Sequence, residues 1–558
     1  MINYKRLRSL LVILLALSMV FVFATACGPE EVTDDPADEP ADDPADEPAD
    51  DPADEPEDVP TELRMGRSNP PDVLNIFRAR GGATAFPSSQ IYGLLVRWND
   101  NQEYIPYGAE SWEVSDDDRT YTFHLDRDNV WHDGEPVIAQ DYKMTFELAC
   151  NPESYAIAYA DLQSIVGAEE YYEGEADEIV GIEVIDDYTL SVTTEEPDAV
   201  LLLGLMQPVV PHHIFGDVAP ADIDGHEYWR KPIGFGPYKH VEYVTDQYLR
   251  LEAHEDYVLG EPGIQHVVID YSDSTNHLPM FERQELDWIR APRDEMDRVD
   301  AIPHAKTYYG GPYGYQVARI NMNQERFQDV RVRRAILHAI DRPGILEGPG
   351  HGEGEIAHSP FIAPWVDRSQ VVEYDYDPDR AKELFDEAGW DYSEPIEILT
   401  FDSPRYIDIA SIMERNLDAV GVDANITLGD FTSMYGRYSD GDYGFYSGYF
   451  MFSADPHTLA NCWSSSGARN PETGYQNPRL DELFREGRAT LDTSERAEIY
   501  GEVLGILSED AVEIGLYGGD TSQTAHENIV GPDTRGFYHF MQFQDIHNLW
   551  EWEWTGPR

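Results

Sequence analysis

Few residues in this chain have the types and spacing for chemistry. His132-Asp133 pairs an imidazole with a carboxylate, as a general base would need, but Gly134 follows and the tripeptide reads as a turn. His212 and His213 are adjacent, so on a helix or strand they would not face one metal ion together. His351, Glu353, Glu355 and His358 are metal-ligand types in a Gly-rich loop, where spacing alone fixes no ligand geometry. No nucleophile elbow, zinc-protease helix motif or phosphate-binding loop is present. The sequence therefore predicts no catalytic residue, no metal and no cofactor. A secreted hydrolase with a convergent Ser/His/Asp or paired-carboxylate site is a remote alternative, as is an adhesive lipoprotein. Cys150 and Cys462, far apart in sequence, read as free buried thiols.

What stands out instead is a binding surface. In Arg437 to Pro456, Tyr443, Phe445, Ser447 and Tyr449 alternate against Gly444, Tyr446, Gly448 and Phe450, as in a strand. Glycine inside it lets another backbone approach closely.

The elements that must position this strand are well punctuated. Val317 to Arg342 reads as strand, turn and helix, with Asp329 as N-cap and Val332, Ala335, Ile336, Ala339 and Ile340 on one face. Arg331, Arg333 and Arg334 sit at the wrong end of the helix dipole and call for carboxylate partners. Asp377 to Gly389 is a helix capped by Asp377, opened by Pro378 and ended by Gly389, burying Ala381, Leu384, Phe385 and Ala388. Ile409 to Val420 is a helix and Ser494 to Leu516 a helix then a strand. Earlier, Ser88 to Trp98 reads as a helix, with Tyr92, Leu95 and Val96 on one side. Asp116 to Asp118 turns between two strands, Tyr142, Phe146 and Ala149 mark a helix, and Ile182 to Thr193 is a hairpin turning at Asp186-Asp187.

At 558 residues the chain needs more than one lobe. The formal charge of -68 repels phosphates and excludes a nucleic-acid partner. Lysine occurs at Lys5, Lys143, Lys231, Lys239, Lys306 and Lys382 alone, and self-repulsion on this scale calls for concentrated salt to screen it. Met1 to Cys27 is a targeting segment, with Lys5, Arg6 and Arg8 before an apolar stretch too short for a comfortable membrane span. Its end, Ala24-Thr25-Ala26-Cys27-Gly28, resembles a bacterial lipobox, which implies a lipidated Cys27 anchored outside the membrane. Residues 28–61 repeat Pro, Ala, Asp and Glu and read as a disordered spacer.

Four motifs, in order, resemble the family 5 extracytoplasmic solute-binding proteins, the oligopeptide, dipeptide and nickel receptors of ABC importers. They are the 107–149 segment running through Ser111-Trp112 to Trp131-His132-Asp133-Gly134, then Gly234-Phe235-Gly236-Pro237-Tyr238, then Asn321-Met322-Asn323 with Phe327 to Arg342, then Asp377 to Gly389. The family places Ser or Thr where Ile138 stands, a lost cap of about 1 kcal/mol. The resemblance implies an α/β fold of the periplasmic-binding-protein-like type II, with two halves around a cleft and an extra lobe. Its lobes would be I (62–106, 231–311 and 520–558), II (107–230) and III (312–519). It implies a monomer that captures a small solute, a peptide or else an oligosaccharide, by lobe closure and hands it to a permease. Aligned on Asp455-Pro456, Gly448, Tyr449 and Phe450 fall on ligand-contacting positions, and Arg437 on an Arg for a ligand carboxylate. Phe452 stands where the family's peptide receptors carry the acid that grips an amino terminus.

Overall fold

The computed structural model describes residues 59–558 apart from 69, 72–73, 79–81, 100–102, 156–157, 292–294, 311–313, 361, 452–454, 519–520 and 533–547. Cys27, the acidic repeat through residue 58, and Phe452 lie outside the described residues. Among the described residues no helix is long and apolar enough to cross a membrane.

In chain order the strands up to residue 526 are β1 (Glu62–Gly66), β2 (Val96–Trp98), β3 (Tyr104–Pro106), β4 (Ala109–Val114), β5 (Thr120–Leu125), β6 (Ile182–Asp186), β7 (Thr189–Thr193), β8 (Tyr238–Val244), β9 (Tyr248–Ala253), β10 (His266–Asp270), β11 (Trp288–Ile289), β12 (Ala305–Gly310), β13 (Gly314–Ile320), β14 (Glu355–Ile356), β15 (Ile396–Phe401), β16 (Ala424–Gly429), β17 (Phe445–Met451), β18 (Glu513–Gly518) and β19 (Thr521–His526). Three larger sheets form among the described residues. One runs β12-β19-β11-β1-β10-β9-β8 and draws on three separated stretches of chain; a second is the antiparallel β4-β5-β7-β6; the third is the mixed β14-β18-β13-β17-β15-β16. The longer helices are α1 (Gly82–Ile91), α2 (Ala139–Cys150), α3 (Val330–Ala339), α4 (Pro378–Ala388), α5 (Pro404–Ala419), α6 (Phe431–Ser439), α7 (Pro478–Ala489) and α8 (Thr493–Glu509).

One apolar core spans the first two sheets. A second fills the space between α3, α4 and α5 and one face of the third sheet. The punctuation read in the sequence sets these helices. Asp377 accepts from the Arg380 N–H, and Gly389 takes the left-handed φ of +71° that ends α4. Ala381, Leu384 and Phe385 are buried there, while Ala388 is half-buried. Asp329 caps α3 by accepting from the Arg331 N–H. Cys150 and Cys462 are free and buried, as expected.

Three expectations need correction. α1 ends at Ile91 and Val96–Trp98 is a strand paired with β3, not the second half of a helix. The cause is the Gly234-Phe235-Gly236 loop: the Gly236 N–H bonds the Ile91 carbonyl, and a Cβ at Gly93 would meet the Phe235 ring at 2.0 Å. The three arginines of α3 do not all take carboxylates. Arg331 pairs with Asp329 and Arg334 lies 3.6 Å from the Glu509 carboxylate, but buried Arg333 donates to the carbonyls of Phe327, Gln328 and Asp510. Carbonyls that end neighbouring turns supply the negative end there. At Ile138 the loss is partial: Asp141 accepts from the Ile138 N–H and from the His212 N–H, the half of a capping box that needs no hydroxyl.

The His132-Asp133-Gly134 turn clamps the chain's return into the first sheet. Gly134 has φ +90°. His132 Nδ1 accepts from the Gly234 N–H, so Nε2 carries the proton and donates to the Gly236 carbonyl at 3.0 Å. His254 Nδ1 lies 3.2 Å from the same carbonyl. Burial, ahead of the nearby His254 and Lys239, pushes His132 down to about 3. The imidazole is a neutral structural peg.

Candidate functional site: the central strand of the third sheet

β17 lies between β13 and β15. It pairs with β13 along its whole length, from Ile320↔Phe445 to Gly314↔Met451. Its parallel ladder with β15 holds two pairs, Ile398↔Phe445 and Leu399↔Tyr446, and β17 runs on past them to Met451. Thr400 donates its hydroxyl to the Ser447 carbonyl where the two strands part.

The Asn321-x-Asn323 motif fixes where β17 begins. Asn321 Nδ2 donates to the carbonyls of Gly441 and Tyr443, each at 2.8 Å, and its N–H to that of Gly444. Asn323 Nδ2 donates to the Pro471 carbonyl. At Gly474, φ +72°, a Cβ would sit 2.4 Å from Asn323 Oδ1, so that turn needs glycine.

Alternation gives β17 two faces. Phe445, Ser447 and Tyr449 share one; Phe445 enters the core beneath α3 and α5, and Tyr449 is half-buried. Tyr446, Gly448 and Phe450 share the other, in an aromatic cluster with Tyr315, Tyr438 and Tyr443. Tyr438 stacks on Tyr446 at 4.3 Å, and Phe450 meets Tyr438 edge-on at 5.8 Å. A Cβ at Gly448 would lie 3.1 Å from the Tyr446 ring and 3.6 Å from the Phe450 ring, so glycine leaves room for both.

Charges lie directly behind these rings. Arg319, 0% exposed, sits 3.0 Å from Glu513, and its guanidinium lies 4.5 Å from the Phe450 centroid and 4.6 Å from that of Trp463. Arg469, paired with Glu472, approaches the Phe450 ring at 5.6 Å. Burial opposes the Arg319 charge, but Glu513, Tyr315 and Tyr438 outweigh it and hold the guanidinium protonated. Tyr315 donates to Glu513 at 2.6 Å.

Arg437 projects from α6. It binds Glu397 through both terminal nitrogens, at 3.0 and 2.8 Å, and Asp442 through Nε at 2.8 Å. Hydrogen bonds to these carboxylates, Glu397 first, raise its pKa further. The structure therefore gathers Gly448, Tyr449 and Phe450 on one strand and places Arg437 on the neighbouring helix, already held by two acids. Sequence reasoning missed the ring stack that flanks β17: Phe401 on Phe431 at 5.6 Å and Phe431 on Tyr435 at 5.5 Å, with Phe401 edge-on to Tyr446 at 5.9 Å. It also missed the Arg319–Glu513 pair, although a charged residue inside the apolar Val317-Ala318-Arg319-Ile320 run was a visible signal. Among the described residues no group of three His, Cys, Asp or Glu side chains could hold a metal ion.

The family model of the bacterial extracellular solute-binding proteins, family 5 (middle), matches residues 103–471. The chain belongs to this family. A putative ABC transporter peptide-binding protein of Brucella ovis is 30% identical over 337 residues, 59% of this chain and 61% of that relative's length. The oligopeptide-binding protein AppA of Bacillus subtilis is 21% identical over 98% of this chain and 99% of its own. Among solved structures, the ABC transporter substrate-binding protein CtaP of Listeria monocytogenes superposes with a TM-score of 0.76 at 24% identity, over 89% of this chain and 100% of its own. NikZ of Campylobacter jejuni, solved with Ni(L-His), gives 0.74 at 21%, over 88% and 99%. At that identity the likeness establishes the fold, the α/β type II binding-protein fold of family 5.

Proposed function

We propose that this chain is the substrate-binding protein of an ABC importer, and that it takes a peptide and passes it unaltered to a membrane permease. The observation that carries this reading is β17. It outruns its two-pair ladder with β15, carries a glycine at its centre, and is walled by the Phe401, Phe431 and Tyr435 rings. An extended peptide laid beside such a strand gains main-chain hydrogen bonds, while pockets between rings read alternate side chains. In this reading Gly448 and Tyr449 border the ligand. Phe450 and Arg437 hold the strand and helix from behind, and Phe452 weakens the grip on a free amino terminus.

The same reading takes residues 62–106, 231–311 and 520–558 as lobe I, 107–230 as lobe II and 312–519 as lobe III, closing around the solute. Cys27 would carry the lipid that tethers the monomer outside the membrane, and the charge of -68 suits concentrated salt. The relatives' names, peptide-binding for the Brucella protein and oligopeptide-binding for AppA, support a peptide ligand. An oligosaccharide is the second reading. Phe431 is 66% exposed and lies 9° from parallel to Tyr435, a flat face on which a sugar ring can stack.

Mass spectrometry of what co-purifies, then calorimetry with peptide and oligosaccharide panels, tests this. Peptide binding without turnover is expected. Binding of sugars alone selects the second reading, and hydrolysis of a bound panel member defeats both.

A further inference from the structure

Asp198 and Arg488 are 290 residues apart, yet they form a two-pronged ion pair at 3.1 and 2.8 Å. Asp198 precedes the buried Val200–Leu203 segment of the 107–230 stretch, and Arg488 stands at the end of α7 in the 312–519 stretch. The Asp198 side chain is 2% exposed and also accepts from the Ser164 hydroxyl and the Val200 N–H. A backbone bond runs beside it, from the Ala199 N–H to the Arg488 carbonyl at 2.8 Å. Leu491 packs against the apolar core of the first two sheets. Next to the pair, Arg496 and Asp455 form a second buried ion pair, at 3.0 and 2.8 Å. The Tyr104 hydroxyl is buried in the field of that pair.

We infer that Asp198–Arg488 is a clasp: it joins the second sheet's stretch to the third sheet's helices when the lobes are shut and lets go when they open. The inference rests on the lobe-closure reading above. A bidentate ion pair, a backbone bond and a rim leucine set side by side form a contact that can be made and broken as a unit. Closing brings together two parts of a chain with formal charge -68, which costs repulsion, and an arginine docking in a prepared acid site offsets it. Its burial means salt screens the clasp far less than exposed pairs, so it works in the concentrated salt the composition calls for. Asp198 is prepared: Ser164 and Val200 hold its carboxylate in place before Arg488 arrives.

The test is small-angle X-ray scattering and calorimetry on the full chain, with a peptide from the panel that the wild type binds. Wild type should shrink in radius of gyration on adding peptide. Arg488→Ala should keep a larger radius than wild type at the same peptide concentration and bind the peptide about tenfold more weakly. The reversed pair, Asp198→Arg with Arg488→Asp, should restore part of the affinity. Amide exchange at Ala199 should quicken in Arg488→Ala while exchange in β17 stays slow, which separates opening from unfolding. If wild type binds peptide with no change in radius, the closure reading fails. If wild type closes but Arg488→Ala matches it in radius, affinity and Ala199 exchange, closure stands and the clasp is refuted.

Discussion

Arg319→Met removes the buried cation behind Phe450 and keeps most of its apolar length. Arg319 is 0% exposed and the Glu513 side chain 6%, so water cannot stand in for the lost partner. At 3.0 Å and an effective dielectric near 20, the attraction is about 5 kcal/mol. Breaking one partner of a buried pair typically costs about 3–5 kcal/mol. Glu513 then keeps the Tyr315 hydroxyl as donor, and its carboxyl responds by taking a proton. Burial already raises its pKa, and the Arg319 charge is the strongest influence that lowers it. In the variant the folded pKa of Glu513 stands well above its unfolded value. The variant is therefore least destabilised in acid and loses stability as pH rises through that folded pKa. Urea unfolding followed by tryptophan fluorescence, at pH 5.5 and pH 8, reads this. A loss of about 3–5 kcal/mol at pH 8 that shrinks at pH 5.5 is expected, with Arg319→Met/Glu513→Gln recovering about 2 kcal/mol and losing the pH dependence. A single-variant loss under about 1 kcal/mol at pH 8, or equal losses at both pH values, refutes the reasoning.

Other outcomes follow from particular residues. His132 has a folded pKa of about 3 against an ordinary 6.5, so its contribution is complete above pH 6.5 and is lost as pH falls toward 3. Lowering the pH to 5 should cost about 2 kcal/mol through this group, and His132→Gln, read by the same unfolding assay, should be less acid-sensitive by that amount. Diluting the wild type from molar to low salt should lower its melting temperature, because exposed like charges lose their screening; equal melting temperatures would break the link between charge and salt. Phe452→Asp should tighten binding of free-amino peptides but not of N-acetylated ones, measured by calorimetry, and no gain would count against the alignment on Asp455-Pro456.

Local punctuation made much of the fold legible. Asp377, Pro378 and Gly389 bound α4 because each fixes a backbone conformation or satisfies an end group without outside help. The hairpin β6–β7 and the turn before β5 follow from the same local chemistry. Reading failed at Ser88 to Trp98, where α1 is cut short by a loop about 140 residues later in the chain pressing on Ile91 and Gly93. It failed again at Arg333, whose partners are carbonyls on remote turns and leave no mark in its own neighbourhood.

The candidate site divides the same way. Alternation in the sequence determined that Tyr446, Gly448 and Phe450 share one face of a strand, because side chains on an extended chain repeat every two residues. The sequence also determined the charge, and with it the need for screening and the exclusion of nucleic acid. Tertiary structure alone decided that Arg437 spends its guanidinium on Glu397 and Asp442, that Arg319 lies beneath Phe450, and that Asp198 meets Arg488. Those are contacts between residues that the chain itself holds far apart, and an ion pair depends on distance in space, not on separation along the chain.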